Sequence, residues 1–224
     1  MKKNTLEIKP CVFPNLGYLE IKLPPKVLKF LDDAIKNKQE KKHNPNLAGN
    51  IGSSYLIPDK NNWFFDKVMA HCILNYNKFF LGSPEQRYLT KNCRYVLDSM
   101  WVNYQQKYQF NPVHSHTGVF SFVIWYKIPS SLEKEKKLPF SKHSNSPSSS
   151  SFEFIYCNTM GQATTRGFPL SSKDEGTMLF FPSTLMHQVY PFYTSDKDRI
   201  SIAGNVLLDV EQVVKFSYGS SRIK

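Results

Sequence analysis

The amino-acid sequence predicts a mainly β domain, a sandwich or barrel, with helices in front of it. From about residue 94 the chain is a series of short aromatic and β-branched segments separated by turn residues, which is typical of an all-β sandwich or barrel. Before residue 94, two longer segments place apolar residues at helical spacing. The length of 224 residues suits one domain. We therefore expect a single domain over residues 1–224, with a helical and strand support region at 1–93 and a β-barrel core at 94–210.

The support region is predicted to contain two short strands and two helices. Residues 6–22 have strand character, and "LPPKVLKFLDDAIKNKQE" reads as an amphipathic helix that begins after two prolines. "NNWFFDKVMAHCILNYNKFF" is the second helix, with Asn62 as its N-cap. The Asn, Gly and Ser content of "HNPNLAGNIGSS" favours a loop between them.

The barrel core is predicted to contain six strands and one insertion. Residues 130–151 are polar, charged and serine-rich, so we expect an exposed, mobile loop with His143 facing solvent. The six predicted strands lie in "RYVLDSMWVNYQ", "VFSFVIWYKIP", "SFEFIYCN", "GTMLFFPS", "HQVYPF" and "RISIAGNVLLDV".

Composition excludes several classes of protein. With 41% hydrophobic residues the chain can bury a core, so disorder of the whole chain is excluded. No apolar run approaches the roughly 20 residues of a membrane helix, and the start of the chain has no apolar signal-peptide region. Four scattered cysteines predict free thiols in a reducing compartment, and hence a cytoplasmic protein. The net charge of +11 is spread along the chain, which favours general lysine usage over a nucleic-acid surface.

Three histidines form a candidate metal site. His114 and His116 are two residues apart in "NPVHSHTGVF", and side chains at that spacing on a strand point to the same face. His187 stands at the start of a later predicted strand. Two ligands from one strand and one distant ligand are how β-barrels hold a catalytic metal with open coordination positions.

An arginine on the last predicted strand indicates an anionic ligand. Arg199 and Ser201 share one face of "RISIAGN". A buried arginine at a barrel mouth is costly unless an anion pairs with it. A carboxylate held by Arg199, with a further hydrogen bond from Ser201, would satisfy it.

These motifs resemble the 2-oxoglutarate- and Fe(II)-dependent oxygenases, and within them the prolyl-hydroxylase-like enzymes of small bacterial and phage type. The resemblance covers about residues 95–210. It rests on the order of short motifs: "WVN", "NPVHSH", a strand from Ser121 to Pro129, "FPSTLMHQVYP" and "RISI". It implies the double-stranded β-helix fold, with the N-terminal helices packed on one sheet. It also implies the cytoplasm of a bacterial or phage-infected cell.

The resemblance assigns roles to individual residues. His114 and His187 would bind Fe(II), and Arg199, helped by Ser201, would hold the distal carboxylate of 2-oxoglutarate. A tyrosine that contacts the same co-substrate would be Tyr104. The further candidates for co-substrate contacts are Tyr126, with Trp125 as its competitor because register decides which faces inward, and Asn205.

His116 departs from the family pattern, which has Asp or Glu at this position to complete two histidines and one carboxylate. Three interpretations follow. His116 is the third ligand of a three-histidine site; it is a neighbour of a site completed by water or another carboxylate; or no metal binds. A neutral imidazole in place of a carboxylate raises the net charge of the metal centre by one, which weakens the hold on Fe(II).

The implied reaction is hydroxylation of a substrate C–H by O2 and 2-oxoglutarate, with release of succinate and CO2 and with ascorbate as reductant. The implied substrate is a prolyl residue in a peptide or protein. Three alternatives remain: a three-histidine dioxygenase that does not use 2-oxoglutarate, a nucleic-acid oxidative demethylase and a non-enzymatic metal-binding barrel. The demethylase reading is disfavoured because such repair enzymes carry a second arginine in the closing strand, where this chain has Asn205.

Overall fold

The computed structural model describes residues 17–80 and 93–209, and every structural statement below concerns those residues. Cys11 and most of the strand region predicted at 6–22 lie outside them. The described end of that region, Leu19–Lys22, is a strand, β1.

Two helical segments follow β1. Helix α1 spans Pro25–Lys36. The second segment contains a π-helical turn, Phe65–Met69, that continues into helix α2, Ala70–Phe80. No helix in the described part of the chain is long and apolar enough to cross a membrane.

The predicted N-cap of the second helix, Asn62, is wrong. Asn62 has φ of 53° and belongs to a 3-10 turn before the helix. The carboxylate of Asp59 instead accepts hydrogen bonds from the backbone N–H groups of Phe64, at 2.7 Å, and Phe65, at 2.9 Å. A carboxylate satisfies these otherwise unpaired donors better than an amide, because it adds a favourable interaction with the helix dipole.

Nine further strands and one short helix complete the described chain. The strands are β2 Ser53–Leu56, β3 Tyr95–Gln105, β4 Asn111–His114, β5 Phe120–Lys127, β6 Ser151–Cys157, β7 Ala163–Pro169, β8 Thr177–Pro182, β9 Met186–Val189 and β10 Arg199–Leu208. Helix α3 spans Leu132–Glu135. All six predicted strands are present, whereas β2, β4 and β7 were not predicted.

The strands form two antiparallel sheets. The larger sheet has the order β1-β8-β5-β10-β3-β2 and the smaller β4-β9-β6-β7. Between the sheets lies an apolar cluster that includes Val123, Leu179 and Phe181 from the larger sheet and Phe152 and Phe154 from the smaller. The predicted double-stranded β-helix is confirmed.

The helices pack on the outer face of the larger sheet, as predicted. Leu31 of α1 and Tyr76 of α2 belong to the same buried cluster as Phe120, Phe122 and Phe180 from the strands. Strand β5 therefore alternates between two cores, with its even-numbered residues toward the helices and its odd-numbered residues toward the smaller sheet.

The insertion at 130–151 contacts the barrel at defined points. Glu135 on α3 is fully buried, and its Oε1 accepts hydrogen bonds from the backbone N–H groups of Tyr193 and Thr194, both at 2.8 Å. His143 is exposed, as predicted. The mobility of this segment stays a prediction.

Candidate metal centre

The fold brings the three predicted histidines together. His114 is the last residue of β4 and pairs with His187 of β9 across the smaller sheet. His116 follows two residues after the end of β4. The ring centroids are 4.3 Å apart for His114 and His187, 4.9 Å for His116 and His187, and 5.2 Å for His114 and His116.

Each ring uses Nδ1 for a hydrogen bond to an oxygen of the protein. Nδ1 of His114 lies 2.7 Å from the carbonyl oxygen of Pro112, and Nδ1 of His187 lies 2.9 Å from that of Leu185. A carbonyl oxygen only accepts, so both rings carry the proton on Nδ1 and keep a lone pair on Nε2. This is the tautomer in which metal-binding histidines are held by their neighbours.

Burial keeps the cluster uncharged. Burial lowers the pKa of His116 to about 4 and that of His187 to about 3, and it also lowers the pKa of His114. The neighbouring imidazoles lower the pKa of His187 further. Three neutral imidazoles at neutral pH have lone pairs available to a cation.

The donor set fits a divalent transition metal. One candidate ligand atom from each ring lies within 4.8 Å of the other two, and two imidazole nitrogens bound to one ion at about 2.1 Å are at most about 4.2 Å apart. Small side-chain adjustments therefore bring all three to a shared ion. Among residues 17–80 and 93–209 this is the only group of three or more His, Cys, Asp or Glu side chains close enough to share one. It contains no carboxylate, which favours the three-histidine interpretation of His116.

A cavity of about 210 Å³ opens beside the histidines. The polar part of its wall comes from β3 and β10, with Asn103, Gln105, Ser201 and Asn205, whereas β5, β6, β8 and β9 contribute apolar side chains. The apolar residues are Phe122, Val123, Trp125, Phe152, Phe181 and Val189. Residues 46–49 and Ile51 form part of its rim. A small polar molecule could thus lie between the metal position and β10.

Arg199 is buried behind this polar wall, being only 1% exposed. Its Nε and Nη2 donate to Oε1 of Gln105 at 3.2 and 2.9 Å, and Nη2 also donates to the carbonyl oxygen of Tyr190 at 2.8 Å. Nη1 is buried and has no hydrogen-bond partner among the described residues. Burial lowers the pKa of Arg199 to about 9, and the negative charge of Glu135 opposes that shift. The guanidinium is charged at neutral pH, with two N–H groups left for an anion.

Ser201 is oriented to donate a hydrogen bond. Its Oγ accepts a long hydrogen bond, 3.5 Å, from Nδ2 of Asn103, whose Oδ1 in turn accepts one from Ser54 at 2.6 Å. The hydroxyl hydrogen of Ser201 is therefore free to point into the cavity.

The structure corrects two predicted co-substrate contacts. Tyr104 and Tyr126 pack against the cluster between the helices and the larger sheet, and neither lines the cavity. Their neighbours on the same strands, Asn103, Gln105 and Trp125, line it instead. The physical reason is the alternation of side chains, which sends residues one position apart to opposite faces.

Asn205 lines the cavity and also contacts His116 of the histidine cluster, a contact that the sequence did not predict. Its Oδ1 lies 2.8 Å from Nδ1 of His116. Gln105 was missed entirely. The alternation Trp101–Asn103–Gln105, three large or polar residues on one face of a predicted strand, was the pattern that could have identified it.

Comparison with known families agrees with the fold and the cluster. A family model described as "Putative 2OG-Fe(II) oxygenase" matches residues 99–205, the segment from β3 to β10 that contains all three histidines. This segment is therefore similar to the 2-oxoglutarate- and Fe(II)-dependent oxygenases, and the resemblance predicted from the sequence is confirmed. A comparison with curated proteins finds no match.

Solved structures support the fold. An oxidoreductase of the 2OG-Fe(II) oxygenase family from Burkholderia pseudomallei superposes with a TM-score of 0.54 at 12% identity, covering 85% of each chain. The non-heme alpha ketoglutarate dependent carbocyclase SnoK from nogalamycin biosynthesis gives 0.50 at 11% identity, covering 87% of this chain and 80% of its own. A Pseudomonas putida prolyl-4-hydroxylase gives 0.45 at 14% identity, covering 84% and 91%. The first two similarities establish the fold alone and leave the substrate to separate argument.

Proposed function

We propose that the protein is a 2-oxoglutarate- and Fe(II)-dependent dioxygenase that hydroxylates a C–H bond of a prolyl residue in a peptide or protein and releases succinate and CO2. One observation carries the proposal. Three imidazoles, each with its Nδ1 hydrogen-bonded, meet at one cavity, and Gln105 in the lining of that cavity contacts the buried Arg199, whose Nη1 has no partner among the described residues.

His114, His116 and His187 are the proposed iron ligands. When bound, Fe(II) together with 2-oxoglutarate supplies the activation of O2, and ascorbate is the proposed reductant that keeps the metal in its active state. The protein contributes neutral ligands whose tautomers are set by hydrogen bonds. Because three imidazoles carry no charge, a dianionic co-substrate is the group that offsets the charge of the ion.

Arg199 and Ser201 are the proposed partners of the distal carboxylate of 2-oxoglutarate. Nη1 of Arg199 offers two N–H groups, and the hydroxyl of Ser201 offers a third donor. Gln105 lines the cavity in front of Arg199 and accepts two of its hydrogen bonds. A carboxylate can bind Arg199 in two ways. A bidentate carboxylate that uses Nε and Nη2 displaces Oε1 of Gln105 from those two donors. A carboxylate that accepts hydrogen bonds from Nη1 leaves Gln105 in place.

The apolar part of the cavity wall excludes water from the reacting atoms. Trp125, Phe152 and Phe181 are each at most 3% exposed and lie on the barrel side of the histidines. Exclusion of water strengthens the electrostatic interactions inside the cavity and protects reactive species from side reactions.

A prolyl substrate is supported by the motif order that resembles prolyl-hydroxylase-like enzymes, and by the position of the rim. Residues 46–49 and Ile51, in the loop before β2, contribute to the lining of the cavity and are a surface that a peptide could contact. Asn50 is joined to Phe110 by two backbone hydrogen bonds, which ties this rim to the chain just before β4.

The test is formation of succinate from 2-oxoglutarate with Fe(II) and ascorbate, with and without proline-rich peptides, while the peptide mass is followed for a gain of one oxygen. We expect succinate formation to increase with a substrate peptide and to match the oxygen incorporated. Iron binding without succinate formation would contradict the use of 2-oxoglutarate and favour a three-histidine dioxygenase of another type. Succinate formation without any modified proline would contradict the prolyl substrate alone.

A further inference from the structure

The third histidine is oriented differently from the other two. His114 and His187 donate from Nδ1 to backbone carbonyl oxygens two residues earlier in their own segments, which any sequence offers. Nδ1 of His116 instead faces a side chain, the amide oxygen of Asn205, 89 positions later in the chain on β10. The orientation of this one ring therefore depends on a particular residue.

The amide of Asn205 is itself fixed by a chain of hydrogen bonds. Its Oδ1 accepts a hydrogen bond from Oγ of Ser121 at 2.9 Å, and the hydroxyls of Ser121 and Ser183 are 2.9 Å apart. Both serines are fully buried. Ser121 has one hydroxyl hydrogen, and since it points at Asn205, Ser183 supplies the hydrogen between the serines. In this arrangement the amide oxygen faces both Ser121 and His116, so Nδ1 of His116 carries the proton.

We propose that Asn205 is a positioning residue for the third metal ligand. Held by Ser121 and Ser183, Asn205 fixes His116 in the tautomer whose Nε2 is unprotonated and faces the metal position. The inference rests on the proposed function, since it concerns the same metal site. An amide turned by 180° would present N–H to His116 and stabilise the opposite tautomer. Nε2 would then carry a proton and could bind no metal.

This role follows from having an imidazole where the family pattern has a carboxylate. A carboxylate at position 116 could bind a metal through either oxygen and needs no partner to select one. An imidazole offers a single nitrogen in this geometry, so its proton must be held at the other. The exchange of ligand type at His116 thus requires an acceptor such as the one Asn205 supplies.

The test is an anaerobic titration of the metal-free proteins with Co(II) alone, followed by absorption. Asn205→Leu keeps the branched shape of the side chain and removes the acceptor, so we expect Co(II) affinity to fall by about 10–100-fold. Asn205→Asp keeps an acceptor oxygen and should bind within a few-fold of wild type or more tightly. The same change at an exposed site on α2, Asn75→Leu, is the matched control and should leave affinity unchanged.

A double-mutant cycle separates positioning from a general structural effect. If Asn205 acts through His116, Asn205→Leu should add no weakening in a His116→Ala background. Equal weakening in both backgrounds, or an affinity of Asn205→Leu within about threefold of wild type, would overturn the inference. Circular dichroism checks folding, and Asn205→Ala replaces the leucine variant if that one does not fold. Failure of wild type to bind Co(II) would be a different result, because it would remove the metal site and the proposed function with it.

Discussion

The two faces of the larger sheet are built from the same strands and differ in chemistry. On β5, Phe120, Phe122 and Ile124 are fully buried against the helices, whereas Ser121 turns into the barrel. Burial of each large apolar side chain on the outer face contributes about 1.5–3 kcal/mol. The inner face also buries Arg199 with an unpartnered Nη1, which costs free energy. Side-chain alternation thus lets one sheet hold a stabilising core on one side and a reactive site on the other.

The largest expected effect is on the inner face. His187→Ala removes a proposed ligand, so turnover should fall below detection while the fold persists, because the outer core is untouched. Succinate release and Fe(II) binding measure the loss of turnover and of the metal site. The thermal unfolding transition shows whether the fold persists. Turnover close to wild type would show that His187 does not bind the metal.

The converse change is on the outer face. Phe120→Ala leaves a cavity beside Phe180, whose ring centroid is 4.9 Å away, and should lower the free energy of unfolding by about 3–5 kcal/mol. Metal affinity of the folded protein should change little. Urea unfolding measures the loss of stability, and a Co(II) titration at urea concentrations below the unfolding transition measures the metal affinity of the folded protein. A tenfold loss of metal affinity in this variant would mean that the two faces are coupled.

Arg199→Lys tests the anion site. Lysine keeps the positive charge and loses the planar pair of donors. The 2-oxoglutarate concentration needed for half-maximal rate should rise by about 10–100-fold, since hydrogen bonds to charged groups contribute about 1.5–3 kcal/mol. Metal affinity should change much less, and steady-state kinetics beside an anaerobic Fe(II) titration compares the two. An unchanged co-substrate requirement would show that Arg199 serves only the fold.

His116 is tested by two substitutions. His116→Asp restores the carboxylate of the usual pattern and should keep Fe(II) affinity within a few-fold, or raise it, because the new charge offsets part of that of the ion. His116→Ala should weaken Fe(II) at least tenfold, the loss expected when an anchoring contact of a metal site is removed. Anaerobic Fe(II) titration measures both. Wild-type affinity in the alanine variant would exclude His116 as a ligand.

The smallest expected effect is a pH dependence of the free energy of unfolding of the metal-free protein. The pKa values of His114, His116 and His187 are lower in the folded protein than the usual 6.5 of the unfolded chain. The unfolded state therefore binds more protons below about pH 6.5, and stability is lost as pH falls toward 4. We expect a loss of about 0.7 kcal/mol each for His116 and His187 between pH 7 and 6. Urea unfolding with a chelator present measures it, and His187→Gln should reduce the slope.

Much of the site could be predicted because its ligands are few and their chemistry is distinctive. The two-residue spacing of His114 and His116, with His187 near a later strand, was sufficient to predict convergence. Arg199 was predicted to bind an anion together with Ser201 because the two residues share one face of the last strand. The prediction placed His114 and His116 on one strand, which is wrong because β4 ends at His114, although the two rings still converge.

The rest depends on relations between strands that one sequence does not contain. Whether Tyr126 or Trp125 faces inward is decided where β5 pairs with β10: Lys127 pairs with Ile200 and Trp125 with Ser201, and Tyr126 falls at the irregularity. The pairing of Asn205 with His116 joins residues 89 positions apart. Strand β7 was missed because most of its residues are exposed and Phe168 is its one large apolar side chain, so it has no apolar alternation.

The insertion has one residue that limits how the protein can be trimmed or evolve. Oε1 of Glu135 receives the backbone N–H groups of Tyr193 and Thr194 and the hydroxyl of Thr194, in the connection that leads into β10 and Arg199. Removing all of residues 130–151 would leave those donors without an acceptor. The cost to stability is about 1.5–3 kcal/mol for each hydrogen bond to the carboxylate that is lost. We therefore expect the protein to tolerate changes of loop length between Glu135 and the buried Ser150. Such changes include natural deletions and grafted loops that give the barrel a new specificity.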